Sequence, residues 1–104
     1  MKSRTERLDS VAVRAAVQGV IEAPRYDDWL MEMPDEMLVR LAAPLEMLQF
    51  QFYVDPPLER HLVRAARVCC AACATGLEDC PPDMRAAFRV LADVVGVRLS
   101  VTAP

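Results

Sequence analysis

The stretch LVRLAAPLEMLQFQF, residues 38–52, places apolar residues at the spacing of an α-helix. Five of them recur every three or four positions and lie along one side of such a helix: Leu38, Leu41, Leu45, Leu48 and Phe52. Pro34 is suited to the start of this helix, whereas Pro44 interrupts it by removing one backbone hydrogen bond. We therefore predict a helix kinked at Pro44, or two helices that share one buried face.

Similar patterns on both sides of this stretch predict further helices, separated by prolines and glycines. The expected segments are a helix over about 4–22, a short helix or turn within 25–36, a helix over about 56–75, and a last helix from the prolines at 81–82 to Gly96. Met84, Phe88, Leu91 and Val95 form one face of the last helix. The sequence predicts an all-α fold, a compact bundle of four to five helices in one domain, 1–104.

Two segments also fit β-strands, because their residues alternate with a period of two. Gln49 to Val54 contains the alternating run Gln49-Phe50-Gln51-Phe52, and residues 97–102 alternate in the same way. The helical interpretation of 49–54 is preferred, and a short C-terminal strand at 97–102 remains open. Such a strand would pair with 49–54 or with the same tail of a second chain.

The composition indicates that the protein buries helical surfaces against other helices. Hydrophobic residues, counted without glycine, make up 54% of the 104 residues, and only three residues are glycine. A domain of this size buries a smaller share of its surface than a larger one. We therefore expect apolar surface that one chain leaves uncovered, and a homodimer or another protein partner to cover it.

The charge pattern argues against nucleic acids and membranes as partners. Twelve basic and fifteen acidic residues give a net charge of -3, so the general attraction to phosphate backbones is missing. The first twenty residues are interrupted by charges, and the longest apolar run, Val68 to Ala74, is too short to span a bilayer. We expect a cytoplasmic protein, in its producing cell or in an infected host. Eleven of the twelve basic residues are arginine, which suggests a GC-rich source such as a bacterium, phage or large virus.

The residues needed for common catalytic sites are scarce. His61 is the only histidine, and no nucleophile elbow, phosphate-binding loop or zinc-protease motif is present. We therefore predict no enzymatic activity and no cofactor. A helical enzyme completed at a dimer interface remains a third possibility, with acids of 27–36 facing arginines of another subunit.

Cys69, Cys70, Cys73 and Cys80 are the one cluster of metal-ligand residue types. Structural zinc sites usually pair cysteines in two separated turns, which this spacing does not provide. His61 is no substitute, since eight residues of helix place it roughly 12 Å along the axis from Cys69. We expect small thiols that pack a helix crossing, and we keep a cysteine-based metal or redox protein as the alternative. In that alternative, Cys80 is the first candidate for a reactive thiol, because it precedes a helix start and a helix N-terminus stabilises a thiolate.

The residues expected to bind a partner are large apolar side chains close to acids. The candidates are Trp29, Met31, Met33, Phe50 and Tyr53. Trp29 is the favoured anchor of these, although a tryptophan in a small domain is more often a core residue than an interface residue. Arg60, Arg64 and Arg67 form a positive stripe that could grip an acidic partner. We prefer the interpretation that these arginines pair with Glu59, or with the acids of 27–36 in the same or a neighbouring subunit. The predicted function is a non-catalytic protein–protein interaction module, a small adaptor, chaperone, or phage- or virus-type accessory protein.

Overall fold

A computed structural model describes residues 10–54, 59–74, 77 and 80–99. Within these ranges it contains helices and no strand, which confirms the all-α prediction. The helices are α1 (Ser10–Ile21), α2 (Tyr26–Glu32), α3 (Asp35–Tyr53), α4 (Glu59–Ala72) and α5 (Pro82–Val95). The most extensive packing is between α3 and α4, and between α1 and α5. The predicted ends at 4–9, 56–58 and 75–76 lie outside the described residues.

Prolines and one glycine delimit the helices as the sequence predicted. Pro34 has an extended backbone immediately before α3, and Pro82 is the first residue of α5. Gly96 ends α5 with a φ of 79°, in the left-handed region that favours glycine. The N–H of Val97 then donates to the carbonyl of Ala92 at 2.9 Å, which closes a Schellman turn.

Helix α3 is one continuous element with Pro44 inside it. The alternative of two helices is therefore wrong, and the kink stays a prediction. The strand alternative for 49–54 is also wrong, because the helix continues through Tyr53 and the N–H of Val54 still donates to the carbonyl of Phe50. Residues 97–99 form no strand, and the remainder of the predicted strand at 97–102 lies outside the described residues.

The core lies between the four longer helices and α2. The α3 seam is buried at Leu41, Leu45, Leu48 and Phe52, whereas Leu38 remains 38% exposed and Met37 occupies the buried position instead. The predicted face of α5, Met84, Phe88, Leu91 and Val95, is fully buried. Among the described residues, the buried set includes no charged or polar residue. The core is therefore built mainly by apolar packing, with the Tyr26 hydroxyl and the Arg14 guanidinium, 4.5 Å over the Phe52 ring, at its edge.

Three arginines tie the helices together by capping neighbouring helix ends. Arg14 Nη2 donates to the Phe52 carbonyl at the end of α3 (3.1 Å), Arg40 Nε to Ala72 at the end of α4 (3.2 Å), and Arg67 Nε to Val95 at the end of α5 (2.8 Å). None of these helices has a basic residue in its own last turn. Cations near a helix C-terminus are stabilising, so each helix receives from its neighbour the charge that its own sequence lacks.

The contact that Arg67 makes therefore differs from the prediction that the arginine stripe pairs with acids. Its partner is a backbone carbonyl of α5, and the one ion pair between described residues joins Arg25 and Asp28 at 3.6 Å. Both side chains of that pair are largely exposed, so it contributes little to stability.

Candidate interaction surface

Helix α3 is apolar on two opposite sides, and the rest of the fold covers only one of them. Phe50 follows Leu41 by nine residues, about two and a half turns, so it points away from the buried seam. The outward side carries five residues, which we call the outer face: Val39, Ala43, Met47, Phe50 and Tyr53. All five are exposed, with Phe50 and Tyr53 at 61% and 62%.

An open groove adjoins the outer face where α3 packs against α4. It has a volume of about 310 Å³. Its lining residues are Pro44, Met47, Gln51, His61, Arg64, Ala65 and Val68. Met47 and Val68 are half-exposed apolar side chains in this groove, while Arg64 and His61 are exposed polar groups from α4. The groove therefore combines an apolar lining with a basic edge.

The other edge of the outer face is acidic and lies near α1 and α2. A shallow hollow of about 350 Å³ is lined there by Glu46, Gln49, Phe50, Tyr53 and Val54. Gln49 Nε2 donates to the Tyr26 hydroxyl of α2 at 2.6 Å, which shows that this edge adjoins α2. Burial raises the pKa of Tyr26, partly offset by the hydrogen bond from Gln49.

Tyr53 is held at the C-terminal end of the outer face by two contacts. Its ring packs edge-on against Phe52, with centroids 4.9 Å apart, and its hydroxyl donates to Glu22 Oε2 at 3.4 Å. Partial desolvation and the negative charge of Glu22 raise the pKa of the Tyr53 hydroxyl above its ordinary value. An exposed aromatic side chain that is already oriented loses little conformational entropy when a partner covers it.

Two charged residues that flank the middle of the outer face have no partner within the described part of the chain. Glu46 and Arg64 are both exposed, and neither makes a hydrogen bond or ion pair with another described residue. Arg40 also lies on the α4 side, but its guanidinium is engaged by the Ala72 carbonyl. The apolar strip thus lies between one unpaired acid and one unpaired base.

The five predicted binding residues are divided between surface and core. Met31, Phe50 and Tyr53 are exposed. Trp29 and Met33 are buried: the Trp29 ring packs edge-on against Phe88, with centroids 5.6 Å apart, and also contacts Tyr26. These two residues therefore serve the core and are not part of the surface described here, which corrects the expectation that they anchor a partner.

Four apolar residues of this surface were missed by the sequence analysis: Val39, Ala43, Met47 and Val68. A signal for three of them was present, because Val39, Ala43, Phe50 and Tyr53 follow a second helical ladder on α3, with Met47 beside it. The signal for Val68 was weak, since its neighbours in the apolar run 68–74 are mostly buried.

The four cysteines lie in the core, on the buried side of α4 and before α5. Burial raises the pKa of Cys69 and Cys70 to about 12, and raises that of Cys73 as well. The Cys73 thiol donates to the Cys70 carbonyl at 3.7 Å. Among the described residues, no group of three or more His, Cys, Asp or Glu side chains is arranged to hold a metal ion. The packing role expected for these thiols agrees with this burial.

Comparisons of this chain with protein-family models, with curated proteins and with solved structures find no match in any of the three. In the part of the chain that the structure describes, no helix combines the length and the hydrophobicity that a membrane crossing requires. The outer face and its charged edges are therefore the features from which we infer a function.

Proposed function

We propose that this protein is a non-catalytic protein-binding module that works through the outer face of α3 and the adjoining α3–α4 groove. The observation that carries the proposal is the exposure of Phe50 and Tyr53 on a helix whose opposite side is already buried. Aromatic side chains bury about 150–250 Å² each, so these two leave roughly 180–300 Å² uncovered. With Val39, Met47 and Val68 alongside, the patch reaches the few hundred Å² that mark interaction sites.

The surface has the anatomy of a protein interface. Phe50 and Tyr53 provide rigid aromatic anchors, the residue type enriched at binding hot spots. Met47 is a flexible side chain at the mouth of the groove and adapts its shape to what it contacts. Glu46 and Arg64 supply a charged rim that excludes wrong partners and sets orientation. A helix laid across the face or into the groove fits this arrangement.

The negative charge of the chain supports a protein partner over a nucleic acid. The buried thiols support a reducing compartment, and we place the protein in the cytoplasm. The adaptor, chaperone or phage- or virus-type accessory roles are forms that such a module takes.

A cysteine-based metal or redox protein is less well supported, because burial disfavours the thiolate that either chemistry needs. Metal analysis of protein purified without added zinc tests this alternative. About one bound ion per chain, lost in Cys73→Ser, would favour it.

The experiment for the proposed function compares two equally exposed apolar residues. Phe50 on α3 and Val90 on α5 are 61% and 56% exposed. A photo-crosslinking residue at each position, used in the producing cell, identifies bound proteins, and calorimetry with the purified partner, or sedimentation if the partner is the same chain, then gives Kd.

We expect crosslinking at position 50 and not at position 90. Phe50→Asp should weaken binding at least tenfold, whereas Val90→Asp should leave it unchanged. Equal crosslinking at both positions, or unchanged Kd in Phe50→Asp, would contradict the proposed function.

A further inference from the structure

We propose that the partner on the outer face is a second copy of this chain, related by a twofold axis roughly parallel to α3, with Glu46 of each copy facing Arg64 of the other. This inference rests on the proposed function and names the partner of the same surface. Its basis is the different charge of the two edges of the outer face.

The two edges can be assigned from helix geometry together with the observed contacts. At about 100° per residue, Met47 lies roughly 60° to one side of Phe50 and Glu46 roughly 40° to the other. Met47 lines the groove with Arg64 and His61, so its side faces α4. Gln49 lies beyond Glu46 on the opposite side and bonds to Tyr26 of α2. At the level of Met47, the edge toward α2 is therefore acidic and the edge toward α4 is basic. Glu36, an exposed acid on the α4 side, lies about 15 Å further toward the N-terminus of α3.

Two copies of such a face can pack against each other around a twofold axis in two ways. An axis perpendicular to α3 makes the two helices antiparallel and places each edge against the same edge of the other copy. An axis parallel to α3 makes the helices parallel and places the acidic edge of one copy against the basic edge of the other. Like charges across an interface cost free energy, so the charge pattern selects the parallel arrangement.

The heights of the two charges along α3 also agree with this arrangement. Arg64 lines the same groove as Met47, the residue after Glu46, and this groove covers residues 44–51 of α3, about 10 Å of helix. Glu46 of one copy and Arg64 of the other therefore lie along the same stretch of the interface. Neither group has a partner among the described residues of its own chain, so the pairing breaks no contact described there.

The apolar area is adequate for the centre of such an interface. A standard interface buries about 800 Å² on each partner, with an apolar core and a polar rim. In a parallel pair the residues near the midline of the outer face meet their own counterparts, so Phe50 packs against Phe50 of the second copy. The groove residues Met47 and Val68 border this contact on the side where Arg64 stands.

Sedimentation equilibrium on the full chain tests the pairing with four proteins: wild type, Glu46→Arg, Arg64→Glu, and the double variant. Wild type should be a dimer. Each single reversal should raise the dimer Kd by about tenfold or more, because it places two like charges together, and the double variant should recover most of that loss. Circular dichroism checks that every variant keeps its helix content.

An engineered thiol tests the orientation independently. Ala43 is exposed on the outer face, and the native cysteines are buried, so Ala43→Cys adds one accessible thiol among the described residues. Parallel helices bring the two copies of position 43 together, and mild oxidation should give a disulfide-linked dimer. Val90→Cys on α5 is the matched control and should stay unlinked.

The possible outcomes separate this inference from the proposed function. A monomer at every concentration overturns the inference, but the proposed function stands if Phe50→Asp still abolishes binding of a different, identified protein. The parallel pairing is overturned if the dimer Kd of the double charge variant is as high as that of the single variants. It is also overturned if the chain dimerises but Ala43→Cys does not crosslink. A dimer that Phe50→Asp leaves intact overturns the inference, and it overturns the proposed function as well when no other identified protein loses binding in Phe50→Asp.

Discussion

The buried and outward sides of α3 are built from similar residues but have different surroundings. Leu41, Leu45, Leu48 and Phe52 are enclosed by the other helices, whereas Val39, Met47, Phe50 and Tyr53 face outward on the same helix. The buried side packs into the apolar core, with Arg14 over the ring of Phe52, and the outward side has Glu46 and Arg64 at its edges. Within the described part of one chain, only one of the two apolar seams of α3 is covered. The second seam is the one to which we assign binding in the proposed function.

The largest expected effect tests whether stability depends on the buried side alone. Leu48→Ala removes a fully buried side chain and should lower the free energy of unfolding by about 2–5 kcal/mol. Phe50→Ala, two residues away and exposed, should change it by less than about 0.5 kcal/mol. Urea denaturation at a low, equal protein concentration measures both. Similar losses in the two variants would show that the outward side also supports the fold of one chain.

A second prediction concerns the pH dependence contributed by the buried thiols of α4. The ordinary thiol pKa is 9.0, and burial raises it to about 12 for Cys69 and Cys70. Between these values the unfolded chain loses the proton while the folded chain keeps it, so stability is intact below about pH 9 and falls as the pH rises toward 12. Each thiol contributes a slope of up to about 1.4 kcal/mol per pH unit.

Urea denaturation between pH 8 and pH 11, with reductant present, measures this slope. The double variant Cys69→Ala with Cys70→Ala should show a shallower decline than wild type. An unchanged slope would mean that these thiols ionise in the folded chain as readily as in the unfolded one.

The smallest expected effect concerns two arginines of α4. Arg67 bonds to a backbone carbonyl of α5, whereas Arg64 lines the groove beside the outer face. Arg67→Ala removes the hydrogen bond to the Val95 carbonyl and should cost about 1 kcal/mol of stability. Arg64→Ala removes an exposed charge without such a bond and should stay within about 0.5 kcal/mol. Thermal unfolding of the two variants decides the matter. A larger loss in Arg64→Ala would assign Arg64 a role inside the fold.

Much of the fold could be predicted because helix formation depends on local patterns. The spacing of apolar residues located α3, and Met84, Phe88, Leu91 and Val95 were correctly placed on the buried face of α5. Prolines and Gly96 marked helix ends through backbone restrictions that act within a few residues. The error at Leu38 was small: Met37, one position earlier, took the buried site.

The candidate site was harder to predict because exposure is not a local property. Trp29 and Phe50 are both large aromatic residues on helices, and only the packing of Trp29 against Phe88 separates a core residue from a surface one. The arginine caps could not be read from the sequence either. Arg67 and Val95 are 28 positions apart, and nothing in their local patterns connects them.

The amino-acid sequence alone determined the helices, their breaks and the presence of more apolar residues than one seam requires, because these follow from periodicity and backbone restrictions along the chain. Tertiary structure alone decided which seam of α3 is covered. It also decided which arginines cap helices and which charges border the exposed strip. These depend on how helices distant in sequence pack together, since burial is a property of the assembled surfaces.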